Sequence, residues 1–74
     1  MESEIIKLIK EYDSKIAAEE KVIWTIRGQS AEARREKDRK RVEELRLERV
    51  VADARQQAYV QAKYDIDSLL DHLP

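Results

Sequence analysis

A chain of 74 residues allows one domain with a small core. A chain this short buries only about 60–65% of its unfolded surface, so disulfides, metal or oligomerisation often support it. Cysteine is absent and His72 is the only histidine, which excludes thiol chemistry and a cysteine zinc site and leaves oligomerisation as the expected support. Fifteen Lys and Arg nearly balance 16 Asp and Glu, for a formal net charge of -1, so the chain as a whole is not a general polyanion binder. No apolar run approaches the ~18–20 residues of a membrane span, and the acidic start Met1-Glu2-Ser3-Glu4 is unlike a secretory signal. A cytoplasmic protein without a membrane segment is therefore expected.

Ser3 is a candidate N-cap, and Glu4 suits the positive end of a helix dipole. From there Ile5, Ile9, Tyr12, Ile16, Ile23 and Ile26 recur at three- and four-residue steps, interrupted once where Glu19 or Glu20 takes the slot. That period predicts a first helix over 4–26. Gly28, the only glycine, follows Arg27 and precedes Ser30. Glycine reaches the left-handed conformation that commonly ends a helix, and serine can cap the next one, so a turn is expected at 27–30. A continuous helix through Gly28 is the alternative, since one internal glycine costs only about 1 kcal/mol relative to alanine.

The second helix is expected over 31–72, dense in Ala, Glu, Arg, Lys, Leu and Gln and free of proline and glycine. Leu45, Ala52, Tyr59, Ile66 and Leu73 form one seven-residue line, and Leu47, Val51, Ala54, Ala58 and Ala62 a second beside it. Ser68 and Asp71 match a capping box, so a break near Asp65 competes with continued helix.

The expected fold is thus all-α: one domain forming an antiparallel hairpin of a short first and a long second helix. At 1.5 Å per residue the first would measure roughly 35 Å and the second roughly 60 Å. Folded back, the first would leave the C-terminal half of the second uncovered. A homo-oligomeric bundle or coiled coil, most simply a dimer, is expected to cover it. Leu45, Ala52, Ala58, Tyr59, Ala62, Ile66, Leu69 and Leu73 would form the subunit interface.

Chemistry finds little support. Asp67, Asp71 and His72 make a weak metal set, no nucleophile has a base partner, and no cofactor is expected. Trp24 and Tyr64 lie off the main apolar stripes and are candidate contacts for another protein, tryptophan being enriched at binding hot spots. Arg34, Arg35, Arg39, Lys40 and Arg41, with Lys37, form the one basic cluster, a possible phosphate-binding face. Against that, Glu36–Lys40, Arg39–Glu43 and Lys40–Glu44 stand at helical pairing distance, which reads as a solvated helix face.

The leading functional expectation is a non-enzymatic, homo-oligomeric interaction protein acting as adaptor, inhibitor or assembly factor. A nucleic-acid-binding regulator using residues 34–41 is the rival. A ligand-sequestering oligomer ranks third.

Overall fold

One repeat organises the first helix. Ile5, Ile9, Tyr12, Ile16, Glu19, Ile23, Ile26, Ser30 and Ala33 follow one another at alternating four- and three-residue steps, and all are buried or half-buried. The repeat runs straight through Gly28. In the computed structural model, which describes residues 2–73, helix α1 accordingly spans Glu2–Arg35 without a break. Helix α2 spans Arg39–Asp71 and carries the matching repeat from Val42 through Leu45, Ala52, Gln56, Tyr59, Lys63 and Ile66 to Leu70. A 3–4 alternation keeps one stripe facing one neighbour along the whole length of a helix. The two stripes meet to form an all-helical antiparallel hairpin, 59 Å on its long axis.

The turn is at 36–38, not at 27–30. Three residues close it. The Lys37 N–H donates to the Arg34 carbonyl at 3.1 Å and the Asp38 N–H to the Ala33 carbonyl at 2.9 Å, the paired bonds of a Schellman ending. Lys37 takes the left-handed conformation, φ 58°, that this ending requires. Asp38 then serves the second helix as well: its carboxylate accepts the Arg41 N–H at 3.1 Å, capping α2. Asp38 is thus a helix cap placed inside the basic run.

A turn at Gly28 would have ended the first repeat before Ser30 and Ala33. Burying Ala33, which is 4% exposed, and keeping both repeats in phase outweighs the roughly 1 kcal/mol that an internal glycine costs. Ser3 is likewise an internal residue of the first turn rather than its cap, and α2 runs on to Asp71 with no break at Asp65.

The corrected turn equalises the helices at 34 and 33 residues, replacing the expected short–long pair. Helix α1 therefore reaches along all of α2. Leu45 and Ala52, expected at a subunit interface, are wholly inaccessible within the single chain and form its core with Ile26 and Ala33. Tyr59 is also an intramolecular contact, its ring 6.1 Å from that of Tyr12.

Two substitutions test the turn. A Cβ at Gly28 meets nothing within 4 Å, so Gly28→Ala is expected to stabilise the hairpin by about 1 kcal/mol, ~4–8 °C in Tm. Lys37→Gly relieves a left-handed lysine and is expected to add about 0.5–1 kcal/mol. A turn at Gly28 would reverse both signs, and thermal melts distinguish the two.

Candidate functional site

Two helices enclose no deep chamber, so what the molecule offers is surface. Its accessible area is 5966 Å², whereas a compact monomer of 8.7 kDa exposes about 4,700 Å². The excess of roughly 1,200 Å² arises because a hairpin buries one stripe of each helix and leaves the flanks open.

The flanks differ. On one side an open groove of about 620 Å³ runs between Val22, Thr25 and Gln29 of α1 and Leu47, Glu48, Val51 and Arg55 of α2. Its floor is Ile26, and its walls are largely apolar. Val22, Leu47 and Val51 are exposed, and the exposed Ala58 and Leu69 and half-buried Ala62 continue this side of α2 toward its C-terminus. Of the expected interface residues, these three are the ones on a free flank. Ile66 and Leu73 are half-buried, with Ile66 on the inward repeat.

Trp24 follows Val22 by two residues, about 200° around the helix, and so points to the opposite flank. It is 62% exposed and lies under the Arg27 guanidinium, 5.2 Å from the ring centre. Tyr64 is 67% exposed and borders a smaller groove with Asp13, Ile16, Val60, Lys63 and Asp67. Lys63 donates to Asp13 at 2.6 Å, and this hydrogen bond holds the Lys63 pKa above its ordinary value of 10.5. A raised lysine pKa means that the pair's contribution is present at neutral pH and is lost only as pH rises beyond that ordinary value.

The basic cluster does not lie on one helix face. Arg34 and Arg35 close α1, Lys37 sits in the turn, and Arg39, Lys40 and Arg41 open α2, so the cations crown the tip of the hairpin. Arg35 pairs with Glu32 and Arg41 with Glu44, while Asp38 is engaged as the cap.

Among the described residues, one polar side chain of the seam holds a buried atom without a hydrogen-bond partner. Glu19 takes an inward position in the first repeat, its side chain 14% exposed. Arg55 reaches across to one carboxylate oxygen, Nε to Oε1 at 3.4 Å, while Oε2 is buried without a partner. The interruption in the isoleucine stripe signals this residue in the sequence; nothing there identifies Arg55 as its partner. Among the described residues no three His, Asp or Glu side chains gather as a metal set, and no helix is long and apolar enough to cross a membrane. Comparison of the chain with protein-family models, with curated proteins and with solved structures finds no match.

Proposed function

We propose that this chain is a non-enzymatic helical interaction module that works as a small homo-oligomer and binds another protein as adaptor, inhibitor or assembly factor. The observation that carries this reading is the excess of roughly 1,200 Å² of surface over a compact monomer of this mass. A standard protein interface takes about 800 Å² from each partner, so one flank can be covered by a second copy while the other stays free. On this reading the hairpin is half of a coiled-coil-like four-helix bundle, and Trp24 anchors the partner on the outer flank. Trp24 is 62% exposed beneath the Arg27 guanidinium, and tryptophan and arginine are enriched among the residues that dominate interface energetics.

Capture from the native host with wild-type and Trp24→Ala baits tests it. The expected result is a stoichiometric protein partner that survives high salt and weakens by about 30-fold, ~2 kcal/mol, on Trp24→Ala. The six cations at the hairpin tip favour a nucleic-acid reading as the second choice. Recovery of nucleic acid that falls steeply with salt and disappears on Arg34→Ala plus Arg35→Ala would replace the first reading by the second.

A further inference from the structure

Where charged side chains reach from one helix to the other, they pair with the opposite sign: Lys63 meets Asp13, and Arg55 meets Glu19. One stretch departs from that pattern. On the flank of Trp24 an open groove of about 500 Å³ has Arg27 and Arg34 on its α1 wall and Arg46 and Arg49 on its α2 wall. Ala31 and Val42 lie between them, and among the described residues no acid lines it. Past Arg34 the groove continues to the turn, where Lys37 and Arg39 line it. Among the described residues Arg27 and Arg34 enter no ion pair. Arg46 and Arg49 have partners only on their own helix, Glu43 at 4.0 Å and Asp53 at 3.7 Å, and exposed pairs of that kind contribute little. Both walls therefore carry the same charge, and no carboxylate answers it from across the groove.

We propose that this groove seats an acidic segment of the partner protein, its carboxylates held by Arg27, Arg34, Arg46 and Arg49. This rests on the protein-binding reading above and gives that site its ligand chemistry. A guanidinium offers a planar fork that takes a carboxylate through two parallel hydrogen bonds, so arginines on two walls grip carboxylates along one segment. Trp24 belongs to the same surface. It stands three residues before Arg27, a neighbour on one face of α1, and is 62% exposed with that guanidinium 5.2 Å from its ring centre. With Ala31 and Val42 among the arginines, the surface complements acids interspersed with apolar side chains, which a protein segment supplies and a phosphate backbone does not. The basic stretch is also short. From Arg27 to the turn is roughly 15 Å along the rod. In the other direction Asp53 follows Arg49, and Asp13, about three helical turns before Trp24 and so on the same flank, lines the next groove with Asp67 and Lys63. An extended nucleic-acid strand, charged at every nucleotide, would run off the arginines onto those acids. Beside the arginines its bases would find Trp24 alone, whereas single-strand binders stack successive bases on several aromatics.

Trp24 is the only tryptophan, so its fluorescence reports directly on this surface. The probe is a phage-displayed library of random peptides of about 12 residues, ample for a groove of ~15 Å, selected on the wild-type chain. The expected result is enrichment of peptides with Asp and Glu among apolar residues, whose titration shifts the Trp24 emission to shorter wavelength. Arg46→Glu plus Arg49→Glu, at two exposed positions, is expected to weaken the enriched peptide at least ~30-fold with helicity retained. The same peptide with its acids changed to Asn and Gln should lose binding to the wild type, a readout that does not depend on how a variant folds. Enriched peptides without acids, or peptides indifferent to the arginine substitutions, overturn the inference. A single-stranded oligothymidylate that displaces the peptide and binds more tightly at physiological salt also overturns it, in favour of nucleic acid. A host protein captured through Trp24 but indifferent to Arg46→Glu plus Arg49→Glu overturns the acidic segment and leaves the protein-binding reading standing.

Discussion

Leu45→Ala is expected to destabilise the hairpin by about 3 kcal/mol and to lower Tm by at least ~12 °C in melts at fixed protein concentration. Among the described residues Leu45 is the largest side chain wholly removed from solvent, and only Ile26, Ala33 and Ala52 share the buried core with it. Leu-to-Ala changes in cores cost ~2–5 kcal/mol, from lost transfer energy plus the cavity left behind. A chain of this length is expected to be stable by only about 4–11 kcal/mol, so the loss is a large share of the whole. Val50→Ala, on the same helix but exposed, is expected to stay within about 0.5 kcal/mol. Equal effects at the two sites would mean that the heptad stripe does not face α1.

Glu19→Leu is expected to act in the opposite direction, stabilising the hairpin by about 1–2 kcal/mol and raising Tm by ~4–8 °C for each kcal/mol. The wild-type carboxylate holds one oxygen buried without a hydrogen-bond partner, and such a group costs about 1–3 kcal/mol. Its one ionic contact, Arg55, is itself half in water, so screening leaves the pair too weak to offset that cost. Leucine fills a similar volume at an inward position between Ile16 and Ile23 and continues the apolar line. Urea unfolding of the two proteins decides this, and a loss of stability in the variant would make the Glu19–Arg55 pair a net contributor. Polar residues on the α2 stripe, Gln56 and Lys63, interrupt that seam as Glu19 interrupts the first. A seam with such polar positions admits fewer sliding registers than a uniformly apolar one, and Glu19→Leu should relax that restriction.

How much of this was present in the residues differs by element. The two apolar stripes were readable, because helical periodicity depends only on spacing: Ile5 to Ile26 on one line and Leu45 to Leu73 on another required no knowledge of the fold. All-helical character follows from those stripes, whereas the hairpin was expected from Gly28 and Ser30 as stop and start signals, which lie inside α1 and not at the turn. The unusual side chains were readable too. Trp24 and Tyr64 fall off the stripes by count alone, and both are exposed. The position of the turn was decided by tertiary structure. Gly28 is the stronger local stop signal, and Lys37 a poor residue for the left-handed position it occupies. Local preference at that scale amounts to about 1–2 kcal/mol. Keeping two 3–4 repeats in register over the full hairpin is worth more, since it buries Ala33 and sets Leu45 and Ala52 against α1. From that one displacement the rest follows. Equal helices convert the expected subunit interface at Leu45, Ala52 and Tyr59 into an intramolecular core, and the basic run at 34–41 becomes the tip of a charged rod rather than a face of one helix. Spacing along a chain specifies which residues share a stripe; only packing the stripes against each other specifies where the chain must reverse.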